Sequence, residues 1–343
     1  MTQKTALVCG AGGFIGSHLV KRLKQEGYWV RGADIKYPQF EASAADDFIL
    51  VDLTDENEAQ RAVELSAGSF DIVCQLAANM GGLGFISSHA SEIMHDSSLI
   101  NLNVLEACRI AQAKKVLYTS SACIYPEYNQ TDPNNPKCSE ESAYPAAPDT
   151  EYGWEKLFSE ILYKTYAKDY GMDTRIVRLH NVFGPQGTWE GGREKAPAAL
   201  CRKIAEADEK DAIEVWGKGD QTRSFLYIDE CVEGIWRILS AEKGIPIVNL
   251  GSEELISINN LTRMIASIAN KNVAIQNVDG PEGVRGRNSD NRLIQEVLHW
   301  QPSQSLEEGL KKLYPWIENQ VRLKNIARGF SFKIRNKNTA NNK

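Results

Sequence analysis

The stretch GAGGFIG, Gly10–Gly16, decides how the rest of the chain is read. It follows an apolar run, TALVC, and opens an amphipathic one, FIGSHLVKRLKQEG, so Gly10, Gly13 and Gly16 fall in a strand-to-helix turn. Glycines there let the backbone bend sharply and approach a pyrophosphate, which the free N–H groups of the helix N-terminus then hold. Alone, the triplet would serve any tight turn. Asp34 ends the next apolar run, 18 residues beyond Gly16, where a carboxylate accepts hydrogen bonds from the ribose hydroxyls of NAD and repels the extra phosphate of NADP. Asp52, closing FILVDL, is the expected adenine-side acid, against the plainer reading of a solvated turn carboxylate. NAD is the cofactor these residues lead us to expect.

Outward from that turn, short apolar runs alternate with amphipathic ones: WVRGADI, FILVDL, DIVCQLAA, SLINLNVLEACRIAQ and KVLYTSS. Strand alternating with helix means parallel strands joined by crossovers, and the near-continuous hydrophobicity of the strands means burial on both faces. The expected fold is α/β, a doubly wound parallel sheet of the Rossmann kind with a smaller α/β substrate-binding domain. From about Asn181 the rhythm breaks into the irregular VFGPQGTWEGGREKAP, whereas DECVEGIWRILSAE and PIVNLG read as the last helix and strand of the first sheet. The expected division is 1–180 plus 223–250 for the NAD-binding domain, 181–222 plus 251–320 for the smaller one, and 321–343 for a basic polar tail read as a solvated end.

Composition excludes several classes. With 42% hydrophobic and 24% charged among 343 residues, the chain reads as an ordinary globular protein. No run approaches the ~18 uninterrupted apolar residues of a membrane span, and the opening MTQKTALVCGAGG has no signal-peptide pattern; we expect no membrane and a cytoplasmic setting. Seven cysteines without a Cys-x-x-Cys pair, and five histidines without ligand spacing, point away from a disulfide framework and from a metal. The net charge of −6 includes seven Lys or Arg and no acid in Val321–Lys343, leaving about −13 on the body, which speaks against a nucleic-acid partner.

The chemistry enters with YGWEK, which sets Tyr152 and Lys156 one helical turn apart on one face. A free tyrosine loses its proton near pH 10, and a neighbouring ammonium together with a nicotinamide's positive charge would favour the phenolate as a base. Ser121, at the end of the preceding strand, can hydrogen-bond the same substrate oxygen. A lone Tyr-x-x-x-Lys is most often a surface pair. Here it follows a dinucleotide turn, a matching acid and a serine-bearing strand end, and in that order the features resemble the extended short-chain dehydrogenase/reductase family, the NAD-dependent epimerases and dehydratases that modify nucleotide sugars.

In that family the strand end before the tyrosine helix separates the members. The 4,6-dehydratases typically carry an Asp-Glu pair where this chain has Ala122 and Cys123, and simple 4-epimerases have small residues there. Cys123, which alone would pass for an apolar filler, is then placed to reach the ring hydrogens of a sugar, with Lys195 of GGREKAPAA as its counterpart. NMGGLGFI (Asn79–Ile86), SSACIYPE (Ser120–Glu127), EYGWEK, GTWEGGREKAPAA, WGKGDQTRSF and GPEGVRGRNSDN are similar to stretches of the GDP-mannose 3,5-epimerase family, over about residues 5 to 320.

The resemblance implies GDP-mannose as substrate, tightly bound NAD, inversion at carbons 3 and 5 through a 4-keto sugar to GDP-L-galactose and GDP-L-gulose, and a homodimer. It implies Tyr152, Lys156 and Ser121 at the carbon-4 hydroxyl and Cys123 and Lys195 at the protons of carbons 5 and 3. It also implies a sugar and GDP site lined by Gly81, Ala122, Asn181, Glu194, Ala196, Lys203, Gln221, Thr222, Arg223 and Arg287. Arg223 and Arg287 offer guanidinium forks to a diphosphate and Lys203 a point charge. Trp154 stands where the family more usually has an aliphatic residue, and helical geometry turns it away from the Tyr152 face. The rival readings are a 4-epimerase or 4,6-dehydratase, and a non-catalytic NAD-sensing protein that could dispense with Tyr152 and Lys156.

Overall fold

The computed structural model describes residues 3–66, 68–208 and 211–340, with side chains described as far as residue 327. The chain enters through β1 (Thr5–Cys9), turns into α1 (Phe14–Gln25) and returns as β2 (Trp29–Asp34). Then follow β3 (Asp47–Leu50), α2 (Glu56–Val63), β4 (Ile72–Gln75), the short α3 (Leu83–Ser88), α4 (Ala90–Ile110), β5 (Val116–Ser121), α5 (Glu151–Tyr170) and β6 (Thr174–Leu179). Next come β7 (Val182–Phe183), α6 (Ala196–Glu206), β8 (Ala212–Trp216), β9 (Thr222–Arg223), β10 (Leu226–Tyr227), α7 (Ile228–Ser240) and β11 (Val248–Leu250). The last elements are β12 (Ile256–Ser257), α8 (Ile258–Ile268), β13 (Ala274–Val278), β14 (Gly286–Arg287), α9 (Arg292–Leu298) and α10 (Leu306–Ala340).

Seven strands form one parallel sheet in the order β11-β6-β5-β4-β1-β2-β3. The order reverses between β4 and β1, and such a switch point opens a crevice at the carboxyl ends of the strands. Those ends carry Gly10, Asp34, Gln75 and Ser121. The strand interiors are apolar on both faces because helices cover both: Leu7 and Val73 pack with α4 residues such as Val104 and Leu105, while Ala6 and Val8 pack with α1 and α7.

Beyond β6 the chain builds smaller sheets, β13 on β8 and β12-β9-β14. Their helices do not form an independent core. Leu200 of α6, Leu261 of α8 and Leu310 of α10 belong to the same cluster as Leu19 of α1 and Ile235 of α7.

The segment expected as a basic polar tail from residue 321 continues the last helix. α10 runs through to Ala340, Val321 is buried, and Lys324 pairs with Glu190 and lies 5.4 Å from the Trp189 ring centroid. Leu310, Leu313, Tyr314, Ile317 and Val321 are all buried and repeat at helical spacing, so the packed stripe ends at Val321, beyond which Arg322, Leu323, Asn325, Ile326 and Ala327 are exposed. Residues 341–343 of that tail lie outside the described residues.

Candidate active site

The glycine turn is built as a cradle. Gly10 has φ +85°, and a Cβ there would stand 2.8 Å from the Ala77 backbone nitrogen; one on Gly16 would run into the Gly10 carbonyl oxygen. Gly13 caps α1 without a side-chain hydrogen bond, so the first-turn N–H groups remain free for an anion. Asp34 is half-buried at the end of β2, with Oδ2 accepting from the Gly12 N–H at 2.9 Å and Oδ1 from the Lys36 N–H at 3.2 Å. Burial pushes its carboxyl up, against those same backbone N–H groups. The turn and its acid therefore fit a dinucleotide with a ribose diol. Asp52 is exposed, and its Oδ1 accepts from the Thr54 N–H at 3.0 Å and hydroxyl at 2.7 Å, the geometry of a turn carboxylate.

At the end of β5 the chain enters a 3₁₀ turn, Ala122–Ile124, with the Ser121 hydroxyl accepting from the Cys123 N–H at 3.2 Å. Helix α5 crosses above this turn. Thr150 caps it by accepting from the Gly153 N–H, and a Cβ on Gly153 would strike the Cys123 carbonyl oxygen. That glycine allows the close approach placing Tyr152 and Cys123 in one small cluster with Met80, Phe85, Ile86 and Ile93. Burial pushes the Tyr152 phenol well above its ordinary range, Cys123 and Glu155 push the same way, and the Ser121 hydroxyl pulls it down. Lys156 is buried, donates to the Thr119 carbonyl at 3.1 Å, and lies 5.7 Å from the Tyr152 ring centroid. Burial pushes its ammonium down, opposed by Glu155, Cys123 and Glu160.

The Gly-rich segment forms the roof. The Gly82 N–H donates to the Arg193 carbonyl at 3.0 Å, and the Arg193 guanidinium lies 3.8 Å from the Phe85 ring centroid. Gly81 is buried against Phe85. Glu194 is held by the Arg202 guanidinium at 3.0 Å and the Gly192 N–H at 2.7 Å. Lys195 follows directly and precedes Ala196, the first residue of α6. Burial pushes the Lys195 amine down, and the neighbouring Cys123 and Cys231 act the other way. Lys203, about two turns further on, donates to the Glu214 carbonyl at 2.8 Å.

The smaller sheets bring in the guanidiniums. Arg287 is buried, and its three nitrogens reach the Gln130 amide oxygen, the Cys123 sulfur at 3.1 Å and Asp149 at 3.3 Å. Burial works against its charge, yet Cys123 and Asp149 raise it overall. Arg223, paired in register with Arg287 between β9 and β14, donates to the carbonyls of Thr222 and Glu282, and burial pushes it down to about 10. Thr222 donates to the Pro133 carbonyl; Gln221 is buried with its side-chain oxygen unpartnered. Asn181 takes φ +38° and donates to the Ser224 carbonyl at 3.0 Å.

The structure thus brings Ser121, Tyr152 and Arg287 to Cys123 above the strand ends, with Lys156 beside the Tyr152 ring and the Lys195 amine within electrostatic reach of the thiol. Sequence reasoning passed over Gln130 and Asp149, which hold Arg287 in place. Both lie in the polar segment between β5 and α5, where no periodicity marks one residue above another. No group of three or more His, Cys, Asp or Glu that could hold a metal occurs among the described residues.

A glycine cradle with an acid at the second strand end, set beside a Tyr–Lys helix over the same sheet, defines the class of dinucleotide-dependent enzymes. The NAD dependent epimerase/dehydratase family matches residues 6–251, and the chain belongs to that family. It is 48% identical over 316 residues to GDP-mannose 3,5-epimerase of Arabidopsis thaliana, covering 92% of this chain and 82% of the relative. GDP-mannose 3,5-epimerase 1 of Oryza sativa subsp. indica is 47% identical over the same shares. Among solved structures, a UDP-glucose 4-epimerase from Thermotoga maritima aligns with a TM-score of 0.79 at 22% identity, over 92% of this chain and 99% of that one, a likeness of fold.

Proposed function

We propose that the protein inverts carbons 3 and 5 of GDP-mannose to give GDP-L-galactose, and GDP-L-gulose when carbon 5 alone inverts, through transient oxidation at carbon 4. The observation that carries this reading is the packing of a thiol, Cys123, against the Tyr152 phenol in one cluster, with the Lys195 amine within electrostatic reach of that thiol. When bound, NAD supplies reversible oxidation at carbon 4. Tyr152 takes the carbon-4 hydroxyl proton and returns it, with Ser121 orienting that oxygen and the Lys156 ammonium favouring the phenolate that burial opposes.

A ketone at carbon 4 acidifies the hydrogens on both neighbouring carbons, because the carbanion left behind is delocalised as an enolate. Inversion then requires proton removal on one face and delivery on the other. Cys123 and Lys195 are the pair for that exchange. A neutral amine is the competent base, and the burial that pushes Lys195 down makes it accessible nearer neutral pH. The Arg287 guanidinium reaches the Cys123 sulfur at 3.1 Å and fixes it in the site. Arg223, Arg287 and Lys203 are assigned to the diphosphate, and Gly81, Ala122, Asn181, Glu194, Ala196, Gln221 and Thr222 to the walls of the sugar and GDP site. Gly10, Gly13, Gly16 and Asp34 are assigned to NAD, with Asp52 further along its adenine side.

We further propose a cytoplasmic homodimer. Trp154, Phe158 and Ile161 form an exposed apolar stripe on α5, with Met94 and Leu102 exposed on the neighbouring α4, a face suited to a second copy. No described helix is long and apolar enough to cross a membrane, and the cysteines are free.

The test incubates the protein with GDP-mannose in deuterated water and follows the sugar by proton NMR, with UDP-glucose in parallel. Deuterium at carbons 3 and 5 with GDP-L-galactose appearing is the expected result. Inversion at carbon 4 without solvent deuterium would mean a simple 4-epimerase.

A further inference from the structure

Gln130 closes the short 3₁₀ segment Glu127–Gln130, between β5 and α5, and is fully buried. Its amide nitrogen donates to the Tyr125 carbonyl at 3.0 Å and to the Pro126 carbonyl at 3.1 Å, and its amide oxygen accepts from Nε of Arg287. Two carbonyls can only accept and a guanidinium can only donate, so the amide has one orientation that serves all three partners. A buried polar group left unpaired costs about 1–3 kcal/mol, which holds it there.

One end of Gln130 belongs to the turn that carries the thiol. Tyr125 stands two residues beyond Cys123; its N–H donates to the Ala122 carbonyl at 3.3 Å, and its hydroxyl to the side-chain oxygen of Asn249, on β11 of the main sheet, at 2.6 Å. On the other side the Ser121 hydroxyl takes the Cys123 N–H. The backbone of the turn is thereby tied to the large sheet. The sulfur is not: among the described residues its hydrogen-bond partner is Nη1 of Arg287, at 3.1 Å.

The other end of Gln130 belongs to the small sheet β12-β9-β14. Arg287 lies on β14, and a Cβ on Gly286 would stand 2.7 Å from the Asp132 carbonyl oxygen, so that strand runs hard against the chain just after Gln130. Thr222, on the paired β9, donates to the Pro133 carbonyl. The guanidinium spends one nitrogen on each of three partners: Nε on Gln130, Nη1 on Cys123 and Nη2 on Asp149, the residue before the Thr150 cap of α5. Its plane is rigid and its donors diverge at fixed angles, so acceptors fixed at Nε and Nη2 aim Nη1. Gln130 therefore bonds both the guanidinium that meets the sulfur and the backbone that carries it.

We propose that Gln130 is a positioning residue for the inversion, a strut between turn and guanidinium that holds the Cys123 sulfur in its setting for proton exchange with the sugar ring. This rests on the reading of Cys123 given above. A side chain with nothing to fix it has three staggered wells to occupy, and misplacing a reacting group by about 1 Å can cost on the order of a hundredfold in rate. Without the strut the sulfur loses its fixed setting, and proton exchange slows. Oxidation at carbon 4 draws on Tyr152, Ser121 and Lys156, none of which bonds Gln130 among the described residues, and it continues.

The test follows GDP-mannose in deuterated water at saturating substrate with two readouts, deuterium entering carbon 5 by proton NMR and the absorbance of reduced nicotinamide. The unmodified enzyme, Gln130→Met, Gln130→Asn and Cys123→Ala are compared, with thermal unfolding of each recorded alongside. Gln130→Met keeps the length and removes every polar atom of the side chain. Deuterium entry should then fall about tenfold to a hundredfold while oxidation at carbon 4 changes severalfold at most and reduced cofactor builds up. Gln130→Asn keeps the amide but is one methylene group too short to reach both partners, and should shift the balance the same way by about tenfold or less. A residue that only stabilises the fold would lower both readouts together. An unchanged ratio of deuterium entry to oxidation in Gln130→Met, or in Gln130→Asn should the first not fold, overturns the proposal. Cys123→Ala separates the two readings. If it keeps its deuterium entry, the assignment of Cys123 has failed; if it loses that entry while Gln130→Met retains it, Gln130 alone has.

Discussion

The dinucleotide end and the sugar end of this protein are held together by different chemistry. At the first, backbone groups do most of the holding: free N–H groups at the start of α1 and a turn with no room for side chains, joined by one acid, Asp34, at the end of β2. At the second, ionisable side chains arrive from five separate places, Cys123, Tyr152, Lys195, Arg223 and Arg287, and burial or a charged neighbour sets the state of the buried phenol, amine and guanidiniums. Backbone geometry is insensitive to pH and hard to retune by substitution; a buried constellation is the reverse. The first end therefore suits a cofactor common to a whole family, and the second is where one member's reaction is specified.

The sharpest way to break this contrast is at the phenol. Tyr152→Phe should lower turnover by about a thousandfold or more, with NAD affinity nearly unchanged, read by epimerisation rate and by cofactor binding. Loss of NAD binding in step with turnover would mean that the two ends are not separable. Cys123→Ala comes next: epimerisation should fall about a hundredfold or more while oxidation at carbon 4 persists, visible as nicotinamide absorbance near 340 nm on adding GDP-mannose, on the same general acid–base scale. Full epimerisation by that variant would return the thiol to the core.

At the other end the expected effects are smaller. Asp34→Ala removes an acceptor of hydrogen bonds but leaves the cradle, so NAD should bind ten- to a hundredfold more weakly, about 1.5–3 kcal/mol, with NADP rejected less strongly, by titration calorimetry. Smallest of all in its effect on turnover should be Trp154→Glu with Phe158→Glu, which alters neither end and should halve the particle mass in light scattering while kcat changes severalfold at most. An unchanged mass would mean that the stripe on α5 is not the dimer face.

Particular residues show why some of this was legible before folding and some was not. The parallel sheet could be read because fully buried strands leave unbroken apolar runs, and the run from Phe14 to Gln25 because amphipathic helices repeat at 3.6 residues. Tyr152 and Lys156 could be named because one helical turn separates them. That both are buried, and that burial pushes each away from the state catalysis needs, required the helix to be seen packed on β5. Arg287 could be named as a cation, but its partners Gln130 and Asp149 lie 157 and 138 residues away in sequence. Glu155 reads in the sequence as one more helical acid; that its Oε2 is buried without a hydrogen-bond partner among the described residues is a property of the packed core.

By itself, the order of residues determined the doubly wound sheet, the glycine turn with its acid, and the Tyr–Lys helix, because each depends on spacing within one element or across one turn, where backbone geometry is fixed by covalent structure. Only the tertiary structure decided which cation faces which acid, which thiol stands beside a phenol and an amine, and which carboxylate was left bare. Those are distances between groups far apart along the chain, and both burial and electrostatics act through space.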